Sequence, residues 1–294
     1  MIRTLSYSRA LIHLIIGVTC IVCIYPFLVV LGTSFQSQSD IILRGYSIIP
    51  KNFDFTAYKM ILRSPDILLN SYMITIITSL AGACAGLWVI TTYAYVISRK
   101  SYKYRTHLSF YAFFTMLFNG GIVPTYILMV NWLDLKNSIL ALILPYLING
   151  WYVILMKGFL QSIPEALIES AKIDGAGELY IFVKIVLPIS KPPLASIGLF
   201  LLLQYWNDWW LTLLYIDTDQ LIKLQYLLIR VMKSMEFLNT PEALQFGLVK
   251  EGMEVPTLAA RMAMCVLAAG PMLLVFPFFQ RYFVKGLTVG SVKG

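Results

Sequence analysis

The sequence predicts an all-α membrane protein with six transmembrane helices, and three observations lead there. Of 294 residues, 59% are hydrophobic and only 13% charged, against roughly 25% charged in an ordinary soluble domain. The apolar residues come in blocks, several of which reach the ~18 to 25 residues a helix needs to cross a bilayer core. Six spans of ~20 residues use ~120 residues, and the rest is too divided to form a separate nucleotide-binding or catalytic domain of the usual ~50 to 250 residues. The chain reads as one transmembrane domain over residues 1–294, with its energy source elsewhere.

The blocks run from Ala10 to Thr33, Leu68 to Ser98, Leu108 to Val130, Ser138 to Met156, Leu194 to Ile216 and Thr257 to Phe279. The first follows Arg3 and Arg9 as a signal peptide would, but its apolar stretch exceeds a signal core and no A-x-A site follows, so an uncleaved span fits better. In the second, Ala81, Gly82, Ala83, Ala85 and Gly86 are small enough to let helices approach closely. Pro26, Pro124, Pro145, Pro271 and Pro277 lie inside blocks and predict kinks or breaks, which membrane helices tolerate when neighbours satisfy the freed carbonyls. Asn70, Asn119 and Asn149 are polar residues near the second, third and fourth spans, suited to helix–helix hydrogen bonds or to a translocation path.

The net charge of +8 is explained by topology and not by nucleic acid, because the basic residues flank apolar segments and form no stripe with interleaved aromatics. Arg99, Lys100, Lys103 and Arg105 crowd the very short connection after the second span, which places it in the cytoplasm. With six spans both termini are then cytoplasmic. Residues 157–192 form an inner loop and residues 217–256 an outer one. Within the outer loop, Leu227, Leu228, Val231, Met232 and Met235 have helical spacing, which suits packing on the span ends or a partner surface. All four cysteines fall in apolar stretches, so no disulfide framework is expected, and Cys20 and Cys23 simply share a helix face.

Catalytic patterns are absent: no H-E-x-x-H, no G-x-S-x-G and no G-x-x-x-x-G-K-[ST] phosphate loop occurs. His13 and His107 are too far apart in sequence to suggest a pair. The inner loop is richer. Ser162 and Glu165 stand at capping-box spacing with Pro164 between them, predicting a helix start. Gly175 can stop that helix in a left-handed conformation. A second helical piece, Glu178 to Val186, leads to Leu187-Pro188, and Pro192-Pro193 reset the chain before the fifth span.

Glu169-Ser170-Ala171, followed by Gly175, then nine intervening residues to Ile185 and on to Leu187-Pro188, resembles the EAA loop of ABC importer permeases. Ser170 replaces the usual middle alanine. Phe118-Asn119-Gly120-Gly121-Ile122-Val123-Pro124, Tyr205-Trp206-Asn207-Asp208-Trp209-Trp210 and the terminus Phe283 to Gly294 extend the resemblance to the maltose-type, carbohydrate-uptake permeases, oligosaccharide branch. Similar sequences often serve uronate-containing saccharides. The resemblance implies a permease in the bacterial cell membrane, surrounded by lipid and paired with a homologous second permease chain. Two cytoplasmic ATPase subunits would bind ATP and magnesium, this chain holding no cofactor, and an extracytoplasmic solute-binding protein would deliver the oligosaccharide to the outer loop. It further implies an ATPase-coupling set of Glu165, Glu169, Ala171, Asp174, Gly175, Leu187 and Pro188, in which the Glu169 carboxylate meets an ATPase basic residue and Gly175 allows close approach. The C-terminal tail would approach the ATPases as well.

Asp208 is an ionisable residue inside a predicted span, which points to a cavity or a charged partner. Tyr205, Trp206, Asn207 and Trp209 surround it, and with Asn119 they form a candidate substrate path, since aromatic faces and amides suit sugar rings and hydroxyls. An interfacial aromatic belt is the competing reading. A permease for another solute, such as peptides, shares the class, whereas an ion-coupled secondary transporter would need coupling-ion ligands and usually an inverted repeat.

Overall fold

A computed structural model describes residues 2–63, 65–246 and 256–291, with side chains placed from residue 9 to 277 except at 64, 244 and 247–255. Among the described residues all regular structure is helical. The chain begins with α1 (Ile2–Thr33), α2 (Gln38–Arg44), α3 (Thr56–Ile61) and the 34-residue α4 (Pro65–Ser98). Next come α5 (Arg105–Leu117) and α6 (Ile122–Ile127), which runs on as a π turn (Leu128–Trp132). Two 3-10 turns (Ile139–Leu142, Leu144–Tyr146) lead into α7 (Gly150–Gln161) and α8 (Glu165–Ile173). The helical stretch 178–189 consists of α9 (Glu178–Tyr180), a π turn (Ile181–Val186) and α10 (Leu187–Ile189). After it come α11 (Lys191–Asn207), α12 (Trp210–Tyr215), α13 (Leu224–Leu238), α14 (Pro241–Gln245) and α15 (Thr257–Ser291).

Three helices are each long and apolar enough to cross a membrane: Arg9–Thr33, Pro65–Ser98 and Thr257–Pro277. The count rises to six if each of three bent pairs is one span. The predicted third span is not one rod: α5 and the α6 segment meet at 112°. There the Asn119 carboxamide accepts the Gly121 N–H at 2.9 Å, closing a side-chain turn, and Gly121 has φ of +89°. The predicted fourth span bends by 54°, because Pro145 sits in a 3-10 turn and Asn149 caps α7 by accepting the Trp151 N–H at 2.9 Å. Asn119 and Asn149 therefore serve local turns and not helix–helix bonds, while Asn70 donates to the Gln220 carbonyl at 2.7 Å. The predicted fifth span is broken at Asp208–Trp209, and an 81° bend at Ser190 precedes it, where Pro192 and Pro193 occupy the first turn of α11.

The chain forms two compact units, residues 1–65 with 228–271 and residues 66–227 with 272–294. In the first, Phe35 stacks on Tyr58 with ring centroids 5.1 Å apart, and Gln38 holds the start of α15 by accepting the Leu258 N–H at 3.0 Å. Most of the apolar body of α1 is exposed: no residue of its most hydrophobic 18-residue window is buried among the described residues. The second unit has its core where α4, α7, α11 and the 178–189 stretch converge, around Ile90, Ile97, Met156, Ile181, Ile197 and Leu201. Gly82 and Gly86 make the close approach expected of small residues; a Cβ on Gly82 would fall 2.5 Å from the Tyr205 ring. Ala81 and Ala85 are exposed on the other side of the same helix.

Polar contacts sort the loops of this second unit onto the two ends of α4. At its C-terminal end, Lys100 pairs with Glu165 and Tyr95 bonds Glu178. Toward its N-terminal end, Asn70 meets Gln220, and the Thr75 hydroxyl accepts the Leu224 N–H at 2.8 Å. The four cysteines are free and exposed. Residues 247–255 of the predicted outer loop, residues 292–294 and the tail side chains lie outside the described residues.

Candidate functional site

The connection between α7 and α11 folds as a short helical plate. Its helix, α8, is stopped where expected: Gly175 has φ of +82°, its N–H reaches the Lys172 carbonyl at 3.0 Å, and the Ala176 N–H reaches the Ala171 carbonyl at 2.9 Å. This pair of bonds is a Schellman cap, which satisfies carbonyls that the helix end would orphan. The helix start differs from expectation. The Ser162 hydroxyl donates back to the Phe159 carbonyl at 2.7 Å, closing α7, and no side chain caps α8. Ser162 ends α7 and Pro164 directly precedes α8, so the Ser162–Glu165 spacing does not fall on the start of α8; the Glu165 carboxylate pairs instead with Lys100 at 2.7 Å. That bond holds the Glu165 carboxyl below the usual carboxylate range.

Ile168 and Ala171 turn inward and join the core of the second unit. The opposite face is open: Leu167, Ile173, Leu179 and Tyr180 are exposed apolar side chains, Ile173 at 85%. The loop's acidic residues separate by what they touch. Glu178 pairs with Lys172 at 2.6 Å and accepts from the Tyr95 hydroxyl at 2.8 Å. Hydrogen bonding to Lys172 first, and then to Tyr95, pulls its carboxyl below the ordinary value against the opposing effect of burial. Glu169 is exposed, and its carboxylate meets no hydrogen-bond or ion-pair partner among the described residues. Asp174 is exposed at the C-cap of α8. Leu187 packs on the core while Pro188 is exposed, the helix having widened into a π turn just before it. A helical proline crowds the carbonyl four residues back, and the wider turn relieves that crowding.

The residues of the candidate path divide in two. Tyr205, Trp206 and Asp208 are buried inside the second unit, whereas Asn119, Asn207 and Trp209 are exposed. Asp208 is 6% exposed and has a charged partner. Its carboxylate accepts from the Tyr146 hydroxyl at 3.1 Å and the Leu211 N–H at 3.3 Å, and pairs with Lys223 at 3.2 Å. The Lys223 ammonium also bonds the Tyr205 carbonyl, one of the carbonyls left unpaired where α11 stops. A cation there complements the negative helix end. Lys223 was not legible as a site residue, because a single lysine in a connection between predicted spans has nothing to mark it as buried. The signal that could have pointed to it is Asp208 itself, since a carboxylate inside a span calls for a cation.

Beside the break, the Tyr205 hydroxyl bonds the Ile143 carbonyl at 2.7 Å. Farther along, Asn137 accepts the Asp217 N–H at 2.7 Å, and Lys136 pairs with the Asp217 carboxylate at the same distance. The predicted amphipathic element is a helix, α13, with Leu228 and Met235 buried. No group of three metal-ligating side chains occurs among the described residues.

A membrane domain of bent helix pairs with a capped helical plate is the architecture of a transporter subunit. Residues 107–289 match the family described as binding-protein-dependent transport system inner membrane component, and the chain belongs to it. It is 37% identical to the polygalacturonan/rhamnogalacturonan transport system permease protein YtcP of Bacillus subtilis (strain 168), over 93% of this chain and 94% of that protein. Protein LplC of the same organism is also 37% identical, over 96% and 93% of the two chains. Among solved structures, a bacterial ABC transporter involved in the import of the acidic polysaccharide alginate superposes with a TM-score of 0.77 at 27% identity, covering 95% of this chain and 97% of that one. This chain is thus a membrane permease component of an ABC transporter, a transport part and not a catalytic one.

Proposed function

We propose that this chain forms half of the translocation pore of an ATP-driven importer for uronate-containing oligosaccharides. A homologous permease chain supplies the other half, two cytoplasmic ATPases bind ATP and magnesium, and an extracytoplasmic binding protein delivers the substrate. The observation that carries the coupling part is the state of the acidic side chains on the plate. Glu165 and Glu178 are neutralised within the chain, while Glu169, like Asp174, has no partner among the described residues and stands one turn before the exposed Ile173. An unpaired carboxylate beside exposed apolar side chains is what a docking cleft with a basic residue would complete.

Support for the substrate class comes from the relatives, whose names refer to polygalacturonan and rhamnogalacturonan and to the acidic polysaccharide alginate. The exposed Asn119, Asn207 and Trp209 are the side chains of this chain proposed to face the path, with Tyr205, Trp206 and Asp208 fixing the helix break behind them. The orientation proposed puts both termini, Arg99 to Arg105 and α8 in the cytoplasm. It is supported by the basic loop and by the Lys100–Glu165 pair, which holds that loop and α8 at the same end of α4.

The test is reconstitution of the full complex in liposomes, measuring ATP hydrolysis with binding protein and with galacturonate, mannuronate or neutral oligomers. Hydrolysis and uptake stimulated by an acidic oligomer, and lost in Glu169→Ala, are expected. Stimulation by neutral oligomers alone overturns the substrate class, and an unaffected Glu169→Ala overturns the docking role.

A further inference from the structure

We infer that the cytoplasmic-type end of α4 receives the motion of the coupling helix through two polar struts, with Tyr95, Arg99, Lys100 and Glu178 as positioning residues. The inference rests on the proposal that α8 docks on an ATPase. It reassigns Glu165 from a docking contact to an internal tether.

The first strut joins Lys100, just beyond α4, to Glu165, the first residue of α8, at 2.7 Å. The second joins the other end of α8 to the last turn of α4. Lys172 contacts Glu178 Oε1 at 2.6 Å, and Glu178 Oε2 accepts from the Tyr95 hydroxyl at 2.8 Å. The Tyr95 oxygen in turn accepts from Arg99 Nη2 at 2.7 Å, while the guanidinium lies 4.4 Å from the centre of the Tyr95 ring. Between the struts, Ile168 and Ala171 are buried in the cluster that includes Tyr95, Ile97 and Phe182, and the Tyr95 and Phe182 rings lie 4.8 Å apart. A helix held at its start, at its end and along its inward face moves with its support as one body.

The supporting helix reaches the other notable feature of the unit. Gly82 lies thirteen positions before Tyr95 in the same unbroken helix, about 20 Å away at 1.5 Å per residue. There it presses on the ring of Tyr205, whose carbonyl is bonded by Lys223. A helix has few soft internal motions over that length, so displacement at Tyr95 is felt at the break that Asp208 and Lys223 secure. Contiguity alone is not coupling, and for that reason the struts are tested by exchange as well as by removal.

The experiment uses the whole transporter in liposomes, with binding protein and a mixture of galacturonate oligomers as the probe. Co-purification of the ATPases, ATP hydrolysis and uptake are measured for Tyr95→Phe, Glu178→Gln, Lys100→Glu, Glu165→Lys and the exchange Lys100→Glu/Glu165→Lys. The ATPases should remain bound in every variant. Stimulated hydrolysis and uptake should fall about fivefold to tenfold in Tyr95→Phe and Glu178→Gln, the order expected from losing one charge-assisted hydrogen bond. The exchange should restore at least part of what each single charge reversal loses.

Unchanged uptake in both Tyr95→Phe and Glu178→Gln overturns the second strut. Loss of the ATPases in Glu165→Lys, uncorrected by the exchange, makes Glu165 a docking residue and overturns the first. Failure of the unaltered chain to hold any ATPase has a different signature and removes the docking proposal on which the struts depend.

Discussion

The ammonium of Lys223, fully buried, sits 3.2 Å from the Asp208 carboxylate across a break in the α11–α12 segment. The two residues are fifteen positions apart, and each satisfies a need the other creates. Asp208 would be an uncompensated charge without Lys223, and among the described residues Lys223 would have only the Tyr205 carbonyl without Asp208.

Breaking that pair from one side should therefore be costly. Lys223→Met and Asp208→Leu each leave one buried charge alone, at a cost of about 3 to 5 kcal/mol, whereas replacing both by apolar residues costs much less. Thermal melting of the detergent-solubilised protein measures this. Equal losses in the single and double variants would show that the pair is not what holds the break.

Close packing at Gly82 makes a second expectation. Gly82→Ala places a methyl group against the Tyr205 ring and should destabilise by about 1 to 3 kcal/mol. Gly158→Ala in α7 is the control, since nothing lies within 4 Å of the added carbon. It should be neutral or stabilising by up to about 1 kcal/mol, because alanine is the better helix former.

At the end of α8, Gly175→Ala forces a side chain into the left-handed region, at about 1 to 2 kcal/mol. Gly175→Asn should lose less, since asparagine tolerates that conformation. If helix termination matters for docking, ATPase retention should follow the order Gly, Asn, Ala. Equal retention in all three would separate the cap from docking.

Acid should release the Glu178 tether. Its carboxyl lies below the ordinary value of 4.5, held there chiefly by Lys172. A depressed carboxylate contributes stability that is fully present above the unfolded value and is lost as pH falls through the folded one. The melting-temperature gap between the unaltered chain and Glu178→Gln should hence be constant well above the ordinary value of 4.5 and narrow as pH falls below it. A gap that persists in acid would mean that the charge on Glu178 is not what matters.

How far the sequence carries depends on the distance over which each feature is determined. The end of α8 was legible because a Schellman cap is local: Gly175 and the carbonyls of Ala171 and Lys172 lie within five residues. The start of α8 was misread although Ser162 and Glu165 have capping-box spacing, because Ser162 is taken up as the C-cap of α7 and α8 begins only at Glu165, after Pro164. Hydropathy located the apolar blocks but not their bends. An apolar average does not register that Asn119 closes a turn on Gly121, or that the helix stops at Asp208. Lys223 escaped for the complementary reason, since its surroundings come from α11 and from Tyr146, Tyr205 and Asp208, none of which is adjacent in sequence.

The exposure of α1 bears on how its residues can change. Because Leu14, Ile21 and Val22 are exposed, the described residues impose no shape requirement on them. Apolar character alone would let leucine, isoleucine, valine and phenylalanine exchange there over generations, in contrast to Gly82, where the Tyr205 ring crowds any added side chain. A fixed pattern along α1 among natural variants would accordingly mark a contact that the described residues do not make.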